Sequence, residues 1–303
     1  MSLPQHKRTR WLALAPLPIL FLAVAGLQAK IDAQPRTNAD ANEQLLLSSP
    51  AAVKKLSFGY DALLADIYWT RAVQYYGAHL AGHNADFHLL WPLLDVATTL
   101  DPKLLPAYHF GAIFLSEPGG VGAARTDLAI QLVKKGIDAN PNVWGLGTDL
   151  GFLYYWRLKD YPNAAAAYLQ TSKIPNAPPW IAMMAARISQ TGGSLDTSRM
   201  IWSQIYESTQ DPAVKKRAEE QLKGLKAQSD MQQLDAIAAE YQKRFGRYPA
   251  SQNELRAAGF LPGIAVDPDG FAYELGPAGK FQLSPKSTFV MPAEPKLFSA
   301  PSP

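Results

Sequence analysis

The sequence contains no cysteine. That excludes disulfides, thiolate zinc sites, thiol nucleophiles, iron–sulfur clusters, covalently attached c-type haem and a lipid-modified N-terminal cysteine. Charge is also scarce, at 18% of residues, and the net charge is only +3. The basic residues are scattered, with no stripe of the kind that tracks a phosphate backbone, so a nucleic-acid partner is not expected. A phosphate-binding Gly-rich loop, a Gly-x-Ser-x-Gly elbow and a His-Glu-x-x-His helix are all missing, which removes the usual support for nucleotidase and hydrolase chemistry. Gly145-Leu146-Gly147 with Gly151 approximates a dinucleotide fingerprint. It follows Asn140-Pro141-Asn142 instead of a strand, and its third glycine falls one position late, so these glycines read as helix-packing residues. The expectation is a protein without catalytic residues or a cofactor.

With 48% hydrophobic residues in 303, the chain is not intrinsically disordered. Its one long uncharged run, Trp11 to Leu27, follows His6, Lys7, Arg8 and Arg10 and ends before Lys30. Such a run is an export signal or a membrane anchor, and at about 25 Å of helix it sits at the lower limit for a span. Ala23-Val24-Ala25 suits cleavage of a signal peptide, whereas Trp11 and Lys30 suit a retained helix anchored at both interfaces. Positive charge ahead of the run places the N-terminus in the cytoplasm and the body outside it. The expected location is the inner membrane, single-pass through residues 11–27 with the body in the periplasm. Secretion to the periplasm after cleavage is the alternative. Five divisions follow: 1–30 as anchor or signal, 31–50 as tether, 51–228 as a helical repeat domain, 229–285 as a small α+β module and 286–303 as a disordered, proline-rich tail.

Helical periodicity begins between Lys55 and Gly77 (Phe58, Leu63, Leu64, Ile67, Tyr68, Val73, Tyr75, Tyr76). Asp101-Pro102, Asn140-Pro141, Ile174-Pro175 and Asp211-Pro212 then place proline at intervals of 39, 34 and 37 residues, each closing an apolar helical stretch. A period near 34 residues with proline after the second helix marks a helical-hairpin repeat. Gly111 and Gly151 each follow an apolar residue and precede an aromatic by three positions, Phe114 and Tyr154. Antiparallel helices about 8 to 10 Å apart need a residue with almost no side chain at the contact, and the next turn supplies the ring that fills the gap. Ala97 and Ala129 serve the same purpose on the second helices.

On these residues, Leu150-Gly151 with Tyr154 and Phe110-Gly111 with Phe114 above all, residues 55–213 resemble the tetratricopeptide-repeat family. The resemblance implies a mostly α fold, a right-handed stack of helical hairpins with a concave groove, and no particular reaction. Loops are expected at 77–86 and 117–122. Beyond Pro212 a charged helix precedes an amphipathic one from Asp230 to Phe245, then a short helix from Ser251 to Ala258, and a hairpin of Phe271 to Leu275 and Lys280 to Leu283. Gly246-Arg247-Tyr248-Pro249 and Asp267-Pro268-Asp269-Gly270-Phe271-Ala272-Tyr273 resemble the C-terminal part of type II secretion pseudopilins. No prepilin cleavage motif precedes the leader.

Two constellations remain. His79 and His83, four apart, carry the spacing of a helical zinc pair, and Asp86 is a further oxygen donor. Gly77 and Gly82 argue instead for a loop with exposed histidines. Asp267 and Asp269 beside Gly270 read first as a turn and second as calcium ligands. Aromatic residues crowd the repeats, and adjacent rings such as Tyr75-Tyr76 and Tyr154-Tyr155-Trp156 do not all fit one core face. The rings left over, together with Arg71, Tyr75, Asn142, Asp149, Tyr155 and Arg157, are the candidate contacts for a protein or peptide partner in the groove. A small molecule or glycan lodged against the aromatics, and metal binding at the histidines, are the competing readings.

Overall fold

A computed structural model describes residues 16–32, 49–81, 86–289 and 291. The chain divides into two units, 1–48 and 49–303. In the first, the described part is helix α1, Pro16–Asp32, with Phe21, Leu22, Val24 and Leu27 exposed. Among the described residues no helix is long and apolar enough to cross a membrane. Residues 11–15 of the predicted run and most of the predicted tether lie outside the described residues.

The second unit is mostly helical, with one small two-stranded sheet. A short α2 (Pro50–Leu56) is capped by Ser49, whose hydroxyl accepts from the Ala52 amide. Four helical hairpins of described residues follow, each packed on the next. They are α3 (Asp61–Ala81) with α4 (Leu90–Leu100), α5 (Leu105–Ser116) with α6 (Thr126–Ala139), α7 (Trp144–Phe152, continued by a π-turn to Leu158) with α8 (Tyr161–Thr171), and α9 (Trp180–Thr191) with α10 (Leu195–Ser208). Each predicted Asx-Pro or Ile-Pro stop lies just after a second helix. At each of them the second helix has ended, and at Asn140 and Asp211 the residue before proline ties the turn with its side chain. Asn140 Nδ2 donates to the Pro102 and Gly136 carbonyls. Asp211 accepts from the amides of Ala213 and Val214 to cap the following helix.

The glycines sit where the helices close on each other. A Cβ on Gly111 would meet Leu132 Cδ2 at 2.8 Å and Leu94 Cδ2 at 2.9 Å, and one on Gly151 would meet the Tyr168 ring at 2.5 Å. The filler differs from the expected one. Large residues from the second helices, Leu94, Leu132 and Tyr168, occupy the space, whereas Phe114 and Tyr154 are only half-buried and lie beside it. Tyr108 is the counterpart from a first helix: fully buried, it lies against Gly136 of α6, and burial pushes its hydroxyl up to about 12.

Three boundaries depart from the sequence reading. The helix expected from Lys55 to Gly77 is two helices, because Phe58 (φ 50°) and Gly59 (φ 90°) form a left-handed turn. α3 then runs through Gly77 to Ala81, where a loop was expected. Finally, the two helices expected after Pro212 are one, α11 (Pro212–Phe245), ended by Gly246 at φ 73°. Lys226 and Asp230, one turn apart and in contact at 2.6 Å, bridge the point where a break was expected. α11 feeds both remaining cores. Ala218 and Leu225 join Ile181, Ile201 and Trp202, and Leu234, Ala238 and Tyr241 join Leu255, Tyr273 and Phe281.

The C-terminal segment folds as α12 (Gln252–Ala257) followed by β1 (Glu274–Leu275) and β2 (Phe281–Gln282), an antiparallel pair shorter than predicted. Glu254 organises the Gly-Arg-Tyr-Pro turn. Arg247 first, then the Ala250 amide and the Tyr241 hydroxyl, hold its carboxyl down at about 2. Asp267 is buried and accepts from the amides of Asp269 and Phe271 and from the Ser287 hydroxyl, while Asp269 accepts from Thr288 and Lys223. Both carboxylates thus serve as turn and docking residues. Residues 286–289, placed at the start of a disordered tail from sequence, are tied to this turn through Ser287 and Thr288, with Phe289 and Met291 against the core.

Candidate functional site

The first helices of the second and third hairpins, α5 and α7, lie side by side and are cross-linked at a constant offset. His109 Nδ1 of α5 contacts Asp149 Oδ2 of α7, and Arg157 Nη2 lies 2.6 Å from Glu117 Oε1. Each pair joins residues forty apart, as does the Lys135–Asp95 pair (2.7 Å) between the second helices α6 and α4. Neighbouring hairpins here are thus related by a forty-residue step. Asp149, by hydrogen bonding, raises the His109 pKa above its ordinary value near 6.5, against the opposing effect of burial.

Between the two cross-links, α5 carries Phe110, Ile113 and Phe114, and α7 carries Phe152 and Trp156. Phe110, Ile113 and Phe152 are half exposed, at 52%, 46% and 45%. The rings are ordered with respect to one another. Trp69 of α3 stacks on Phe114 (6.1 Å, 9°) and on Phe110 (6.5 Å, 29°), and Tyr76 stacks on Phe114 at 4.0 Å. Phe152 stacks on Trp156 (6.3 Å, 14°), and Lys159 Nζ lies 4.6 Å from that indole. Tyr76 also donates to the Val121 carbonyl at 2.8 Å, tying the loop after α5 to this face. The π-turn at Leu153–Leu158 ends with Lys159 in the left-handed region (φ 55°), a local geometry enriched at functional sites.

The six residues predicted as partner contacts are only partly brought together. Asp149 and Arg157 lie along this face, as the two halves of its cross-links. Tyr75 does not: it is buried and its hydroxyl donates to the Asp86 carbonyl at 2.9 Å. Arg71, two residues from Trp69, is about 200° round the helix from it, beside Tyr68. Tyr155 packs edge-on against Tyr161 at the rim of the next core, and Asn142 is exposed in the turn before α7. The residues missed were His109, Glu117, Phe152 and Lys159. Superposing Gly111 on Gly151 would have found the first two, since His109 and Glu117 then fall on Asp149 and Arg157.

His79 is in α3, not in a loop. It is 7% exposed, with its ring 4.0 Å from Tyr75 and 5.7 Å from Phe87. His83 lies outside the described residues, and among the described residues no cluster of three or more His, Asp or Glu is placed to hold a metal. The crevice between α6 and α8, lined by Lys134, Ile137, Leu150, Gln170, Thr171 and Ile174, holds no aromatic ring on which a sugar would stack. No protein-family model matches the chain, and no curated protein matches it at a significant level.

Proposed function

We propose that this protein is a non-catalytic scaffold, a tetratricopeptide-like solenoid whose first-helix face holds a protein or peptide partner. One observation carries the reading: a row of ordered, half-exposed rings on α3, α5 and α7 is framed by two cross-helix contacts, the His109–Asp149 hydrogen bond and the Arg157–Glu117 ion pair. Core rings at helical spacing face inward, and isolated exposed apolar residues are ordinary. Several stacked rings at the surface, held in place by pairs that fix the spacing of their helices, form a preorganised apolar surface with a polar frame. Such a surface orders little on binding, so an apolar anchor on the partner costs little entropy to seat. Asp149 and Arg157 serve that reading by fixing α5 against α7, more than by touching the partner.

The uncharged run Trp11–Leu27 and the basic residues before it support a tether with the body in the periplasm, and the pseudopilin-like C-terminal segment tilts the setting toward envelope assembly or secretion. The test is site-specific photo-crosslinking in membranes of the source cell, with a benzophenone amino acid at Phe110, Phe152 or Met200, the last exposed on α10. The expected result is one adduct from the first two positions, lost when Trp156→Ala is added, and none from Met200. Equal adducts at all three positions would remove the assignment of this face.

A further inference from the structure

We propose that the turn between α2 and α3, with the first half of α3, is a lipid-contact surface that seats the N-terminal end of the repeat body against a bilayer. The inference rests on the reading of residues 11–27 as a membrane anchor. Five large apolar side chains within twelve residues are exposed there: Leu56 53%, Phe58 84%, Tyr60 67%, Leu63 56% and Ile67 45%. Tyr60, Leu63 and Ile67 recur at three- and four-residue spacing and so share one face of the chain as it enters α3. The buried residues of α3, Ala65, Tyr68, Ala72, Tyr75 and His79, take the opposite face.

The turn itself is firmly built. Ser57 is 5% exposed, its hydroxyl donates to the Lys54 carbonyl at 2.8 Å, and its carbonyl accepts from the Tyr60 amide at 2.9 Å. This frame holds Phe58 at φ 50°, in the left-handed region where asparagine, aspartate and glycine are the usual occupants and a bulky side chain is an outlier. An aromatic ring that is both conformationally disfavoured and almost wholly bare in water is unfavourable on two counts, and an apolar cover relieves the second.

The occupant follows from the shape of the patch and from where the chain comes from. Phe58 projects from the tip of a turn, with tyrosine and leucine behind it and exposed Lys55 on the near rim. An apolar tip backed by amphipathic tyrosine and lysine suits the boundary between acyl chains and phosphate headgroups. Protein interfaces instead enclose their apolar centre in a polar rim. Asp66 lies off the apolar stripe, and Lys54 is turned toward the Thr99 carbonyl. Residues 33–48, which lead into α2, reach at most about 55 Å when fully extended, so whatever the uncharged run dissolves in is within covalent range of this turn.

The absence of cysteine allows a direct test. The full chain is reconstituted in phosphatidylcholine–phosphatidylglycerol vesicles as Phe58→Cys, Leu63→Cys or Met200→Cys, each labelled with the fluorophore NBD. All three positions are exposed, so folding is not the variable, and circular dichroism checks it. The expected result is blue-shifted emission at positions 58 and 63 that is lost when doxyl-labelled lipid is included, with neither change at position 200. Labels at 58 and 63 that iodide quenches and doxyl lipid does not, in a chain that floats with the vesicles, overturn the surface while leaving the anchor intact. Labels shielded from both quenchers overturn it in favour of a protein cover. A chain that fails to float removes the anchor reading, and this surface with it.

Discussion

Two alanine substitutions separate the close approach of α7 and α8 from ordinary helix propensity. Gly77 and Gly151 are both inside helices, so each gains about 1 kcal/mol of propensity on becoming alanine. Around Gly77 there is nothing within 4 Å of the new methyl, and the gain is realised in full. At Gly151 the methyl would lie 2.5 Å from Tyr168 Cε2 and 2.6 Å from Cδ2. Tyr168 is 7% exposed and belongs to the same buried cluster as Ala164, Ala165 and Ile181, so moving its ring disturbs a packed core. Overpacking of this kind costs about 1 to 3 kcal/mol. The expected net effect is a stabilisation near 1 kcal/mol for Gly77→Ala and a destabilisation near 1 kcal/mol for Gly151→Ala. A body of this size converts each kcal/mol into about 2 to 4 °C of midpoint, so thermal melts followed by circular dichroism should place the two variants on opposite sides of the parent. In a Tyr168→Leu background the penalty at position 151 should shrink by about 1 to 2 kcal/mol, as a double-mutant cycle measures. If Gly151→Ala melts above the parent alongside Gly77→Ala, the helices do not meet at that glycine and the hairpin pairing is wrong.

Two further outcomes follow from the same contacts. Because Asp149 raises the His109 pKa, the pair's contribution is complete below pH 6.5 and fades as pH rises through the elevated folded-state value. With both side chains about one-third exposed, the loss should stay below about 1 kcal/mol, and His109→Gln should flatten this part of a urea-midpoint profile between pH 6 and 8. Asp211→Ala removes the cap on the Ala213 and Val214 amides and should cost about 1 kcal/mol; Asp211→Ser should restore most of it, and equal midpoints for the two variants would refute the capping role.

Much of the repeat architecture was legible because it rests on residues whose backbone consequences are local. Proline after the second helices and glycine at the helix contacts each have one dominant physical meaning, and both are found where the pattern put them. Helix continuity was harder to read. Gly77 looked like the start of a loop, yet nothing opposes a glycine in a helix whose next turn buries His79 between Tyr75 and Phe87. Ser229-Asp230 looked like a break, but Asp230 is engaged by Lys226 one turn earlier and by the Tyr273 hydroxyl at 3.0 Å, a partner 43 residues away in the chain. Tertiary partners of that kind leave no trace in a local window.

The candidate face failed to emerge from sequence for a related reason. Adjacent aromatics such as Tyr75-Tyr76 differ by 100° round the helix, and only the phase of the helix decides which ring is core. Here Ala65, Tyr68 and Ala72 set that phase, burying Tyr75 and leaving Tyr76 to stack on Phe114 of the next hairpin. Charge carried the missing information. His109 with Asp149 and Glu117 with Arg157 are complementary pairs at one offset, eight residues apart in sequence, the second pair just past the end of α5 and in the π-turn that continues α7. A second repeat displaced by forty residues brings such pairs into contact, whereas one displaced by thirty-four would not. The step between hairpins can thus be read from paired charges when the apolar residues are ambiguous, and the rings enclosed between two such pairs are the ones set at the surface.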